Sequence, residues 1–405
     1  MLLEVSGKGA SIELDRIPIP ERVALFVDPH VLASAPGETA MRSLREAGLD
    51  VGVYDRARCE PNSDSFDDAA AFARDGAFDG FVSLGGGSVM DTAKAANLLS
   101  TYPDELIAYV NAPIGRAKPI PGKLKPHIAC PTTCGTGSET TGITIVDLKS
   151  VGLKTGIASP LLKPSLAIVD PTTTETLPGG VVAASGFDVL THAVESYTAR
   201  PYTSRPKPAH PSQRPPYQGS TPYNDIGSIA AIRLGGKYLA RAVRDAGDKE
   251  ARHQLMFAST LAGLAFGSAG VHIPHAMSYS VATLRHEFVA GGYEEREPMV
   301  PHGIAVVINA PAAFRFTAAA AYHELVQRRI EELREVRIQG LQNFEEFTER
   351  RLAPAMNTCR SVAARLESLS QRVARATQLL STRVDVSRER QNQQVLVSMN
   401  RRAEA

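Results

Sequence analysis

The chain has 405 residues, 43% hydrophobic and 21% charged, with a formal net charge of +1. That length accommodates two or three domains of ordinary globular composition, and the near-neutral charge excludes a global case for binding nucleic acid or an acidic surface. No apolar run is long enough to cross a bilayer, and Met1-Leu2-Leu3-Glu4-Val5 has neither the basic stretch nor the apolar core of a signal peptide. Cys59, Cys130, Cys134 and Cys359 form no C-x-x-C pair. Reduced thiols and a cytoplasmic location are therefore expected.

The first half alternates short apolar runs with helical ones. Strands are expected at Val23–Val27, Val51–Tyr54, Phe81–Leu84 and His127–Cys130, with helices over Ser65–Ala73 and Val89–Leu99. Such alternation predicts an α/β fold with a parallel sheet. Ligands in these sheets bind at the carboxyl ends of the strands. Two more short strands are expected at Gly142–Asp147 and Leu166–Asp170. From Gly179 the pattern turns all-helical, interrupted by a Pro-rich loop over Arg200–Thr221; a loop that long is usually functional or disordered. After Ala318 the chain becomes rich in Arg, Gln and Glu. Val362, Leu366, Leu369, Val373, Ala376 and Leu380 are spaced four, three, four, three, four, the a/d seam of a coiled coil; a helical hairpin folded on its own domain would look the same. The division expected is 1–178, a dinucleotide-binding α/β domain; 179–320, an all-α metal-binding domain; and 321–405, a helical tail.

Two loops follow strands. Gly85-Gly86-Gly87-Ser88-Val89-Met90-Asp91 opens a helix, where glycines admit a phosphate and the helix N-terminus supplies free N–H groups. Ser88 and Asp91 also have capping-box spacing. Pro131-Thr132-Thr133-Cys134-Gly135-Thr136-Gly137-Ser138-Glu139 offers hydroxyls and bare backbone to a ribose and pyrophosphate. Each loop could equally be a plain strand-to-helix turn. Asp28 ends the first strand, as an acceptor for a ribose hydroxyl or as a turn former before Pro29.

Asp188 and His192 lie four apart in a helical run, on one face. They are either a metal-binding pair or a local hydrogen-bonded one. His275 and His302, each in a Pro-flanked setting, are two further ligand candidates. One Asp and three His suit Fe, Zn, Co or Ni better than Mg or Ca.

Gly186-Phe187-Asp188-Val189-Leu190-Thr191-His192-Ala193-Val194-Glu195-Ser196-Tyr197, His275-Ala276-Met277-Ser278-Tyr279 and Val300-Pro301-His302-Gly303 resemble the iron-containing alcohol dehydrogenase family. The resemblance runs from about Val23 to about Thr317. Lys154-Thr155-Gly156-Ile157-Ala158-Ser159, the loop Arg214-Pro215-Pro216-Tyr217-Gln218-Gly219-Ser220, and Tyr279 in place of a second His point to its hydroxyacid-oxoacid transhydrogenase branch. Cys134 departs from the usual Ser. The resemblance implies a metal, Fe2+ with Zn2+ as the alternative, on Asp188, His192, His275 and His302. It implies NAD on Asp28, Asn62, Gly86, Gly87, Ser88, Asp91, Thr132, Thr133, Thr136 and Lys154, and catalytic roles for His275, Tyr279 and Lys154. The implied reaction converts 4-hydroxybutyrate and 2-oxoglutarate to succinate semialdehyde and 2-hydroxyglutarate by hydride transfer through bound NAD. Arg205, Lys207 or Arg214 would be available to a substrate carboxylate. An ordinary NAD-dependent alcohol dehydrogenase, or a non-catalytic remnant joined to an interaction module, are the alternatives. Expected partners are small hydroxyacids and oxoacids and a second copy of the chain, with no nucleic acid and no membrane segment.

The family's helical domain continues well beyond Phe316, whereas Tyr322–Ala405 resembles part of an uncharacterised family of bacterial membrane-anchored proteins, through Arg337-Ile338-Gln339-Gly340-Leu341 and Phe344-Glu345-Glu346-Phe347. A fusion is expected, with the helical metal domain truncated and the tail packed loosely.

Overall fold

The computed structural model describes residues 2–5, 21–150, 152–210, 214–215, 217–283, 287–293, 298–311 and 313–314. The expected coiled-coil tail, its junction and its packing lie outside them.

Six strands make a wholly parallel sheet: β1 (Leu2–Val5), β2 (Arg22–Val27), β3 (Asp50–Tyr54), β4 (Gly80–Gly85), β5 (His127–Pro131) and β8 (Leu166–Val169), in the order β1-β8-β5-β4-β2-β3. The helices between them are α1 (Pro29–Leu32), α2 (Ala35–Glu46), α3 (Ser63–Asp75), α4 (Gly87–Thr101) and α5 (Leu106–Tyr109). Ala24, Phe26, Tyr54, Phe78 and Phe81 pack one face of the sheet, and Val23, Leu25, Val27, Val82 and Leu84 the other. Burial on both faces is why these strands read as continuous apolar runs. The chain leaves β2 for β3 on one side and returns to β4 on the other. That reversal opens a crevice at the carboxyl ends of β2 and β4, where Asp28 and the Gly85–Ser88 loop stand.

Gly142–Asp147 is a strand, but not of the main sheet. As β6 (Ile143–Leu148) it pairs antiparallel with β7 (Leu153–Ala158) in a separate hairpin. β7 carries Lys154 and Gly156, residues that hide a strand from propensity. A Cβ on Gly156 would stand 2.7 Å from the Thr144 carbonyl oxygen, so the close pairing needs glycine.

The helical region comprises α6 (Gly179–Thr198), α7 (Pro222–Arg244), α8 (Lys249–Ala269), α9 (Ile273–Thr283) and α10 (His302–Val307). Val189, Ala193, Ala231, Ala258 and Ala262 let α6, α7 and α8 approach closely. Gly270 ends α8 with φ of 89°, and the axis turns by 103° into α9. That turn carries His275 back over α6. Among the described residues no single helix is long and apolar enough to cross a membrane; α8 with α9 passes only as a bent pair, and Leu255, Met256, Ala258 and Ala262 of α8 are core residues. Residues 1–111 and 116–309 form one unit.

Candidate metal centre

Asp188, His192 and Glu195 follow one another along α6 at helical spacing, all buried. Asp188 Oδ1 is approached by the Nε2 atoms of His192 at 3.7 Å, His275 at 3.4 Å and His302 at 3.8 Å. Neither Asp188 Oδ1 nor His275 Nε2 has a hydrogen-bond partner, although both are buried. Orphaned buried polar atoms require an explanation. Four ligands about 2.0–2.2 Å from a tetrahedral ion lie roughly 3.4 Å from each other. The ligand atoms of Asp188, His192 and His275 fall within 4.8 Å of one another; His302, its side chain 26% exposed, lies outside that trio but reaches Asp188 Oδ1. One oxygen and three imidazole nitrogens therefore fit a transition metal.

The environment favours the ligand forms of Asp188, His192 and His302, while the two carboxylates around His275 favour its protonated form. Burial lowers His192 and His302 to about 4 each, against the pull of Asp188. Burial would raise the Asp188 carboxyl, but the surrounding imidazoles hold it well below the usual range. His275 is pushed up to about 9, because Asp188 and Glu195 outweigh burial. Glu195 Oε1 accepts the His275 backbone N–H at 3.2 Å, and its Oε2 contacts His275 Nδ1. The ring of Phe266 stacks on His192 with centroids 4.1 Å apart.

The two glycine-threonine loops meet beside the crevice. Gly86 is the N-cap of α4 and supplies no side-chain cap, leaving the first-turn N–H groups to a ligand. A Cβ on Gly87 would come 2.5 Å from Thr136 Cγ2, and one on Gly86 3.1 Å from Thr133 Cγ2. A side chain at Gly87 would displace Thr136 and one at Gly86 would crowd Thr133, so the glycines keep the cradle open, and it fits a dinucleotide phosphate. Thr132 is buried, its N–H donating to the Gly85 carbonyl oxygen at 3.0 Å.

Other expected residues hold the frame. The Ser88–Asp91 capping box does not form, because α4 starts two residues earlier than that pattern requires. Ser88 Oγ instead accepts the Glu60 N–H at 3.2 Å. Asp91 accepts from Ser138 Oγ at 2.7 Å and Ile145 N at 2.9 Å, bracing the second loop against β6. Asn62 caps α3, its Oδ1 accepting from Ser65 N at 3.0 Å. Asp28 Oδ1 caps α1 through His30 N at 2.9 Å, so its turn-forming role is realised at the mouth of the crevice.

Lys154 on β7 is ion-paired with Glu60, and both are largely buried. Burial would raise the Glu60 carboxyl, but Lys154 and His302 together bring it below its ordinary value. Tyr279 is pushed up to about 12 by burial and by the carboxylates of Asp91, Asp188 and Glu60. The Glu60 N–H reaches Ser88 of the first loop, and the Glu60 carboxyl and the Tyr279 hydroxyl both feel the charge of Asp188. Arg205 Nε donates to the Gln218 carbonyl oxygen at 3.0 Å, tying the long loop to itself; Arg205, Lys207 and Arg214 are exposed. Cys130 and Cys134 are buried, their thiols raised by burial to about 12 and about 11, which makes them inert packing residues. Sequence reasoning missed Glu60, Glu195 and Phe266. The only signal was Glu195 standing one turn after His192.

Residues 5–171 match the family model of iron-containing alcohol dehydrogenases, and residues 305–405 match a family described as protein of unknown function (DUF3422). The hydroxyacid-oxoacid transhydrogenase, mitochondrial, of Rattus norvegicus is 52% identical over 300 residues, covering 74% of this chain and 64% of that protein. The chain thus spans somewhat less than two thirds of that relative. An iron-containing alcohol dehydrogenase from Thermococcus thioreducens is similar in structure, with TM-score 0.66, 26% identity, and 88% of this chain and 84% of that one covered. So is a sulfoacetaldehyde reductase from Bifidobacterium kashiwanohense in complex with NAD+, with TM-score 0.61, 28% identity, and 76% and 72% covered. Residues 5–171 therefore match the iron-containing alcohol dehydrogenase model, and the fold is that of solved iron-containing alcohol dehydrogenases.

Proposed function

We propose that the protein is a metal-dependent hydroxyacid-oxoacid transhydrogenase, acting on 4-hydroxybutyrate and 2-oxoglutarate. The observation that carries this reading is the convergence of three imidazole Nε2 atoms on Asp188 Oδ1 at 3.4–3.8 Å, beside the glycine cradle. Asp188, His192, His275 and His302 would hold Fe2+, or Zn2+, and NAD would lie along Gly86, Gly87, Ser88, Thr132, Thr133 and Thr136, its ribose toward Asp28. When bound, the metal supplies a Lewis acid and the nicotinamide a hydride acceptor.

The chain's own residues do the rest. Tyr279 stays protonated up to about pH 12 and serves as a hydrogen-bond donor to the reacting oxygen. Lys154 is the largely buried cation beside the cleft and, in partnership with Glu60, orients the nicotinamide end or a substrate carboxylate. The exposed loop cations are poorly suited to that task. Buried apolar walls such as Phe266 exclude water from the imidazoles. Asp91 and Asn62 support the reading as braces of the cradle.

Functionally we divide the chain at 178 into cofactor and metal-binding parts, with a third part from 321. A second copy is the proposed assembly partner, for which exposed Tyr223 and Ile226 on α7 offer apolar surface. A reducing compartment suits the buried thiols of Cys130 and Cys134; the rat relative is mitochondrial by name, whereas the cytoplasm was expected here.

The second reading is an ordinary NAD-dependent dehydrogenase, favoured by likeness to a reductase solved with NAD+. Purified protein given 4-hydroxybutyrate and 2-oxoglutarate without added nucleotide should form 2-hydroxyglutarate. Turnover only on addition of NAD would favour the second reading.

A further inference from the structure

We propose that Glu195 is a positioning residue of the metal centre, holding the neutral His275 imidazole as its Nδ1–H tautomer so that Nε2 is the ligand atom. The inference rests on the metal-centre reading above and concerns a residue outside the ligand set.

Glu195 lies on α6, seven residues after Asp188 and three after His192, with no exposed surface. Its carboxylate grips His275 at two places. Oε1 accepts the backbone N–H at 3.2 Å and Oε2 contacts ring Nδ1. The opposite ring nitrogen, Nε2, faces Asp188 Oδ1 at 3.4 Å without a hydrogen bond. A neutral imidazole carries one N–H, and an ionised carboxylate only accepts. The proton must therefore sit on Nδ1, leaving the Nε2 lone pair directed at Asp188 Oδ1 and the convergence point. Because one carboxylate holds both the backbone and the ring, the orientation of the ring follows the position of α9 on α6. The two donors require two acceptors. An amide has one acceptor oxygen, so glutamine would turn its NH2 toward one of them. Facing Nδ1, that NH2 would draw the lone pair there and send the proton to Nε2. Partners of this kind commonly contribute 10- to 100-fold to metal affinity.

The test is a Co2+ titration of the full chain, followed by the visible bands of bound cobalt. Glu195→Gln should bind Co2+ about 10- to 100-fold more weakly than wild type, with altered bands, while His30→Ala, on exposed α1, binds as wild type. Affinity and bands of Glu195→Gln unchanged within about twofold would overturn the proposal. Nitrogen-15 NMR of wild-type imidazoles above about pH 9, where the His275 ring is neutral, with His275 assigned by its loss in His275→Ala, gives a readout that needs no variant of Glu195 to fold. A proton on Nδ1 supports the proposal and a proton on Nε2 overturns it. Wild-type protein that binds no Co2+ would defeat the metal-centre reading itself, while the tautomer still decides the Glu195 contact.

Discussion

A Cβ on Gly303 would stand 1.8 Å from the carbonyl oxygen of Ala184. The start of α10 therefore rests directly on the backbone of α6, one turn before Asp188, and this contact brings His302 to the centre. Gly303→Ala should lift α10 away. Overpacking of this kind costs about 1–3 kcal/mol, and metal affinity should fall as His302 withdraws. Thermal unfolding and a metal titration check both; an unchanged melting temperature would show that α10 is not seated this way.

His275→Ala should abolish metal content, measured by elemental analysis of the purified chain, and with it activity. His272→Ala should retain the metal. His272 Nε2 pairs with Thr198 Oγ1 at 2.9 Å, and its Nδ1 lies 3.8 Å from Glu195 Oε1. Equal loss from both substitutions would exclude His275 as the third ligand.

Asp28 stands at the end of β2, and its carboxylate should repel a 2′-phosphate. NAD should bind more tightly than NADP, and Asp28→Ala should narrow the ratio of their dissociation constants. The same substitution removes the α1 cap, at a cost of about 1 kcal/mol. Wild-type protein that prefers NADP would sink this assignment.

His127 on β5 is held neutral, lowered by burial and by the Lys94 charge to about 3, with its Nε2 2.8 Å from Ser83 Oγ. Its unfolded value is about 6.5. Between those values the unfolded chain binds the proton and the folded one does not, so stability rises with pH there. The contribution is complete above about pH 6.5 and is lost as pH falls toward 3, at up to about 1.4 kcal/mol per unit. His127→Asn should flatten that part of the acid-denaturation curve, measured by denaturant unfolding at several pH values.

The central strands were legible because both their faces are buried. Val23–Val27 became Arg22–Val27, and Phe81–Leu84 became Gly80–Gly85. β1 and β7 were not legible. β1 is four residues long and finds its partner β8 far along the chain, while Lys154 and Gly156 interrupt the β7 pattern. Asp188 and His192 could be read from local spacing, and the resemblance supplied His275 and His302. Glu195 and Glu60 could not be read, because each acquires its role from a partner 80 or 94 residues away, a distance only the tertiary fold spans. The capping box failed for a local reason: Gly86 already caps α4, which puts Ser88 inside the helix.

The donor atoms come from α6, α9 and α10, with Asp188 and His302 separated by more than a hundred residues of chain. An ion at their meeting point would act as a rivet through three helices. Two of its ligands, one turn apart on α6, can form as soon as that helix does; the other two arrive only after α9 and α10 dock. Loading would then be a late event in folding, and losing the ion would let the helical region open from its α10 side first. Hydrogen exchange should record this as protection gained in α9 and α10 on metal addition, with the α4 and β4 amides unaffected.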